Sequence, residues 1–174
     1  AYTSPGDLTL ASAGSLTITG DLLNDGSGGI NLIAGWDGAT TDTALLLNAG
    51  VFGNNNSGVL IGGTSGIADA SVGSLSGNTV VAGKTVTVDS SSFNTQIGYR
   101  GAGQGAITVK ATDNILVTAS AFTALIGNGG SGVTGTISGD ITVTTAGGSI
   151  IVEATNSSTI AGIGNIGGAG SSQS

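Results

Sequence analysis

Cysteine, methionine and histidine are absent from this chain, and proline occurs once, at Pro5. Each absence narrows the chemistry. Without thiols, thioethers or imidazoles there is no thiol nucleophile, no soft metal site and no ordinary proton shuttle for neutral pH. The lack of cysteine is compatible with secretion by a bacterium. Charge is also scarce, at 7% of residues against roughly 25% in an average soluble domain. The three basic side chains, Lys84, Arg100 and Lys110, face ten acidic ones, for a net charge of −7. Phosphate backbones and anionic lipid surfaces are repelled by such a balance, so nucleic acid is not an expected partner. No apolar run approaches the ~18 residues needed to cross a bilayer, and membrane insertion is not expected either. The opening "AYTSPGDLTL" has neither the basic start nor the apolar stretch of a signal peptide, so Ala1 is expected to be a processed mature end or a cut inside a longer protein.

What the chain does contain is apolar and glycine-rich: 39% hydrophobic residues and 34 glycines in 174 positions. Low charge with high apolar content argues against disorder. Glycine without proline, and without a three-residue period, excludes collagen. The length suffices for a core that needs no disulfide or metal. One domain over residues 1–174 is expected, with residues 170–174 as a flexible polar tail.

A repeated phrase organises the rest. "SSFNTQIGYRGAGQG" returns 29 residues later as "SAFTALIGNGGSGVTG". Upstream of each lies a unit made of an alternating apolar triplet, a small polar corner and a second triplet. "LTLASAGSLTIT" (8–19), "ITVKATDNILVT" (107–118) and "ITVTTAGGSIIVE" (141–153) share that form, and "TVVAGKTVTVD" (79–89) is a tighter version. The strongest units are offset by 29 residues (Ile97 to Ile126) and by 35 (Ile115 to Ile150), the extra length falling in "GSGVTGTISG". Segments this short, rich in Val, Ile, Leu and Thr and without a 3.6-residue period, are strands. Strand, corner, strand, a bend entered through Phe93 or Phe122, third strand and glycine-rich loop make a triangular coil. Self-similarity at such a spacing predicts an all-β solenoid, a parallel β-helix with three short strands per coil, five or six coils and glycine-rich corner loops. Ile107, Val109, Ile115, Val117, Ile141, Val143, Ile150 and Val152 are expected inside, with Thr108 and Thr142 outside. Glycine is placed where the chain turns sharply and neighbouring backbones approach. The competing fold is an antiparallel sandwich, for which Asp25-Gly26, Asp37-Gly38 and Asn128-Gly129 supply hairpin turns.

"GINLIAGWDG" (29–38), "TQIGYRGAGQG" (95–105), "ALIGNGGSG" (124–132) and "SGDITVTTAGGSIIV" (138–152) resemble the repeat region of filamentous-haemagglutinin-like large exoproteins, the secreted partners of bacterial two-partner secretion. The resemblance spans most of the chain. It implies a right-handed parallel β-helix, export through an outer-membrane transporter, and a role at the cell surface, commonly adhesion. The NPNG-like or NPNL-like motif of the secretion domain is missing, Pro5 being followed by Gly6 with no neighbouring Asn. The resemblance therefore implies repeat material rather than the export module.

Motifs that bear chemistry are weak. "GNTVVAGKT" (77–85) has five residues between Gly77 and Gly83 where a Walker A loop needs four. "GIGNIG" (162–167) and "GNGGSG" (127–132) match G-x-G-x-x-G, but no helical sequence follows either. Asp89, Asp113, Asp140 and Glu153 would have to converge on stacked rungs to act as paired acids; Asp113 and Asp140 stand directly before strands, where Asp shapes turns. Asp21, Asn24 and Asp25, or Asp37 and Asp42, offer oxygens to calcium, without the G-G-x-G-x-D repeat. Thr17/Thr19, Thr85/Thr87 and Thr142/Thr144 have the outward spacing of an ice-binding array but only three rungs. Trp36 and Tyr99 are the candidates for surface binding, since an aromatic face with a polar tip suits glycans; the plainer role is a corner side chain covering the coil. The expectation is a non-catalytic extracellular or cell-surface protein without cofactor, a subunit or segment of a fibre or adhesin. Its partners are other copies stacked head to tail or adjoining repeats of a longer chain. The alternative is a module that binds glycans or a host surface.

Overall fold

The computed structural model describes residues 1–42, 44–45, 56–63, 68–130, 132–167 and 171–173. It is a parallel β-solenoid of five coils with three strands each. The first coil holds β1 (Leu8–Ser12), β2 (Leu16–Ile18) and β3 (Leu22–Asn24). The second has β4 (Ile30–Ala34), β5 (Val59–Gly62) and β6 (Ala70–Ser74), and the third β7 (Thr79–Gly83), β8 (Val86–Asp89) and β9 (Thr95–Ile97). The fourth coil consists of β10 (Ile107–Ala111), β11 (Ile115–Ala119) and β12 (Thr123–Ile126). A short β13 (Gly135–Ile137) lies in the loop that leads to the fifth coil, β14 (Ile141–Thr145), β15 (Ile150–Ala154) and β16 (Ile160–Ile163). A last strand, β17 (Ser171–Gln173), pairs with β13. Among the described residues only Ala44 and Leu45 are helical.

Every strand stacks on its equivalent one coil away, giving three sheets: β1-β4-β7-β10-β14 (first), β2-β5-β8-β11-β15 (second) and β3-β6-β9-β12-β16 (third). All pairings between them are parallel, which removes the antiparallel sandwich. The registers follow the sequence repeats, with Ile97 on Ile126 and Ile115 on Ile150. The extra length before the fifth coil is where β13 forms.

Alternation decides what fills the interior. Leu10, Leu32, Val81, Val109 and Val143 make one column across the first sheet. Leu16, Val59, Val86, Ile115 and Ile150 make another across the second. The middle members are fully buried in one continuous core that includes Ile107, Val109, Ile115 and Val117. Ile141 and Val143, in the fifth coil, pack against that core from a half-buried position. Ile150 and Val152 depart from expectation: they stand in register on Ile115 and Val117, yet are 42% and 44% exposed. They lie on the inward face as expected, but no coil of the described residues lies beyond them to complete the burial.

The third sheet ends in a column of glycines, Gly73, Gly98, Gly127 and Gly164. At Gly73, Gly98 and Gly127 the backbone of the next coil comes so near that a side chain has no room, whereas a Cβ on Gly164, in the last coil, would have nothing within 4 Å. A Cβ on Gly98 would lie 2.0 Å from the Gly127 carbonyl oxygen, and one on Gly127 would lie 1.9 Å from that of Gly164. This is why the glycine phrase recurs: it closes the same corner on successive coils. The next column along the chain is polar. Asn128 is buried; its Oδ1 accepts the Tyr99 N–H at 2.9 Å and its Nδ2 donates to the carbonyls of Gly105 and Ser138. One coil later the Asn165 Oδ1 accepts the Asn128 N–H. Asn24 does comparable work in the first coil, taking N–H groups of Ser4 and Gly26 and donating to the carbonyls of Ser4 and Gly28. Buried turn backbone is thereby satisfied by amide side chains, which carry no charge to desolvate.

Candidate functional site

Three surfaces could support a function: the two ends of the coil, a groove on the outer face of the third sheet, and the corners that carry the aromatic side chains.

At the fifth coil the interior columns run out into solvent. Ile163, stacked on Ile126, is 40% exposed, and Ile160, on the outer side of the same strand, is 53% exposed. With Ile150, Ile151 and Val152 they supply most of the exposed large hydrophobic side chains of the described residues; Leu45 and Phe122 are the others. Within the sheets, β14, β15 and β16 each pair on one side only, leaving an open strand edge above an apolar interior. The opposite end differs. Leu8, Leu10, Leu16, Ile18 and Leu22 of the first coil are only half-exposed, and the Tyr2 ring packs against the core beside them. Tyr2 bridges Asn24 in parallel, with its N–H on the Leu23 carbonyl at 2.8 Å and its own carbonyl taking the Asp25 N–H at 2.7 Å.

The groove, about 420 Å³, is lined by Asn94, Gln96, Arg100 and Asp69 at its polar part and by Leu125, Val133, Ile160 and Ile166 at its apolar part. Its polar groups are largely engaged with one another. Arg100 bridges Asp69 and Asp21, the latter at 2.6 Å. Asn94 donates to Asp69 through its backbone and its side chain, and accepts the Thr123 N–H. The Gln96 Nε2 donates to the carbonyls of Tyr99, Gly127 and Gly129. Ser71, in register below Gln96, has a buried hydroxyl without a partner.

The two aromatic candidates fall at different corners. Trp36 follows β4 and packs half-buried with Ala11, Ile33 and Ala82 on the outer face of the first sheet; its indole N–H donates to the Thr40 carbonyl at 2.7 Å. Tyr99 follows β9, and its hydroxyl donates to Asp25 at 2.8 Å. Burial, and then that contact with the Asp25 carboxylate, raise the phenol above its ordinary range. Both polar tips are thus occupied from within the protein. Tyr99 and Arg100 together reach from the third coil to the first, at Asp25 and Asp21. Phe93 and Phe122 stack, with ring centroids 6.2 Å apart, at the bend that precedes the third sheet.

The remaining acids do not converge. Asp89 and Glu153 share an outward column of the second sheet, but Thr118 lies between them. Asp113 and Asp140 sit at separate corners, before β11 and before β14. Of the oxygens considered for calcium, Asp21 and Asp25 are taken by Arg100 and Tyr99, and Asn24 by its turn. Asp37 accepts from Ala39 and Thr40, whose hydroxyl bond chiefly lowers its pKa, and Asp42 accepts from Ala44. Among the described residues no group of three or more acids is placed to hold a metal ion. The Thr-x-Thr pairs are divided, Thr17 and Thr87 lying on the second sheet with Leu60 between them and Thr142 on the first. No protein-family model, curated protein or solved structure matches this chain.

Proposed function

We propose that the protein is a structural β-solenoid without catalytic activity, a subunit or segment of an extracellular or bacterial cell-surface fibre or adhesin that continues end to end. The observation that carries this reading is the fifth coil. Its inward side chains Ile150, Val152 and Ile163 stand in the same columns as the buried core, and they are 40–44% exposed beside open strand edges. A further coil, from a second copy or from adjoining repeats of a longer chain, would bury them and pair the edges. At the joint Leu8 would follow Ile141, Leu16 would follow Ile150 and Leu22 would follow Ile163, so an aliphatic side chain meets an aliphatic one in each column. Head-to-tail contacts of this kind need not close, and identical units then form a filament. The resemblance to secreted exoprotein repeats supports the surface location. Sedimentation and electron microscopy of the purified chain at micromolar concentration test the second-copy form: filaments of coil width support it, and a dispersed monomer leaves only the longer-chain form.

A second reading, recognition of a glycan or host surface, is supported by the third-sheet groove, where hydrogen-bonding groups and aliphatic side chains lie side by side. Retention of the chain on a glycan array, lost in Ile160→Asp, whose side chain lines the groove and is exposed, is its test.

A further inference from the structure

The corner between the third sheet and the first is built once for every coil, and then once more. Tyr2 stacks beneath Asn24, in the polar column that continues through Ser74, Tyr99 and Asn128 to Asn165. Residues 2–7 therefore form a corner below the first coil. At the other end Ile166 bridges Gly129 and β17 lies along β13, which forms the same corner above the fourth. Now let a second copy continue the three ladders, so that its β1 pairs with β14 as β4 pairs with β1. Its Tyr2 then falls where the resident copy already has Asn165, and its Thr3 falls where that copy has Ile166. Two segments claim one corner.

Resting on the end-to-end reading in its second-copy form, we infer that residues 1–7 are a displaceable arm which blocks the joint, and that the arriving copy releases it when its first coil seats on the fifth coil of another. Both segments are hydrogen-bonded to the corner beside them, and two features weaken the arm's hold. Its Tyr2 hydroxyl is buried with no hydrogen-bond partner, an arrangement that disfavours the docked state. Its ring covers first-coil side chains that the resident fifth coil would cover instead. The resident segment is held by the Asn128–Asn165 pair, by both backbone bonds of Ile166 and by the β13–β17 ladder. The arm is thus a cap for the isolated molecule and a gate for its assembly.

The test follows assembly of the 174-residue chain by sedimentation, beside Tyr2→Phe and a variant lacking residues 1–6. Tyr2→Phe keeps the ring and removes the orphan hydroxyl, so the arm should dock more firmly and the association constant should fall about tenfold. The truncated chain should assemble at lower concentration than the intact one. In the assembled state the amides of Tyr2 and Ser4, which donate to Leu23 and Asn24 in the monomer, should lose protection from hydrogen exchange while that of Ile166 keeps it. Equal assembly of all three chains would overturn the arm while leaving end-to-end stacking intact, as would loss of protection at Ile166 instead. Absence of assembly in all three, or a closed dimer joined through two fifth coils, would overturn head-to-tail stacking of copies itself.

Discussion

Val117 and Val152 are the same residue in the same column, one coil apart, and they live in different environments. Val117 is fully buried and Val152 is 44% exposed. Ile115 and Ile150 repeat the contrast at 0% and 42%. Nothing in the local sequence separates the members of either pair; what separates them is whether another coil lies above. In a solenoid each unit is stabilised by its neighbours. The inner coils are therefore held from two sides, whereas the fifth coil is held from one and offers the other as a surface.

The largest effect that could break this comparison is a charge placed at each member. Val117→Asp would bury an unpaired carboxylate and should cost about 3–5 kcal/mol, enough to unfold the chain or nearly so. Val152→Asp should change the stability of the monomer by no more than about 1 kcal/mol and abolish end-to-end association. Urea denaturation followed by circular dichroism gives the first number and sedimentation the second. Equal costs at both positions would mean that the fifth coil is already covered in solution.

A methyl group sharpens the same contrast in the corner. In Gly127→Ala the new Cβ would sit 1.9 Å from the Gly164 carbonyl oxygen, so the stack of backbones must part, at about 1–3 kcal/mol. In Gly162→Ala the nearest atom to the new Cβ is the Leu125 Cδ1, at 3.8 Å, and a change within about 0.5 kcal/mol is expected. Thermal melts of the two variants compare an inner coil with the last one directly. A Gly127→Ala protein as stable as its parent would show that the stacked backbones part without cost.

A third contrast lies between the lower and upper coils. The first three are tied by Arg100 to Asp21 and Asp69, whereas the fourth and fifth meet through three parallel ladders. The groups are about one-third exposed, so the attraction is weakened by solvent, and Arg100→Leu should cost about 1 kcal/mol or less. Added salt should reduce that difference in parallel urea titrations. A cost that does not respond to salt would point to packing of the arginine stem instead.

The parts of this architecture legible in the sequence are those that repeat. Register could be read where both partners kept the unit, as at Ile97 and Ile126 or Ile115 and Ile150, and so could the inward faces. The second coil could not be read in this way. Between β4 and β5 lies a long insertion, residues 35–58, some of which fall outside the described residues. A repeat interrupted so widely leaves no fixed spacing to detect. The site was less legible still, because its features depend on which coil has a neighbour and on contacts across coils. Nothing near Tyr2 in the sequence marks it as a cover for the interior. Arg100 stood out only as one of three basic side chains, since the acids that hold it lie 79 and 31 residues away. For Trp36 and Tyr99 the sequence offered an aromatic face and a polar tip, but not the Thr40 carbonyl and the Asp25 carboxylate that engage those tips.

The smallest effect concerns alkali, and it again sets one end against the other. Both tyrosines of the chain serve the first coil: Tyr2 covers its interior, and Tyr99 reaches down to Asp25. Burial raises both phenols above their ordinary value of 10.0, and a nearby acid adds to it, Asp7 for Tyr2 and Asp25 for Tyr99. A group whose pKa is raised on folding contributes stability that is complete below its unfolded value and is lost as pH climbs through the folded one. The first coil should accordingly loosen above about pH 10, while the fifth, which contains no tyrosine, should not respond. Tyrosine absorbance and urea denaturation between about pH 8 and pH 12 would record the change. Tyr99→Phe should lose the Asp25 contact, at about 1 kcal/mol or less at neutral pH, and flatten its share of the alkaline slope. If the slope survives both Tyr99→Phe and Tyr2→Phe, it arises from general charge repulsion in an acidic chain, and the two ends do not differ in their response to pH.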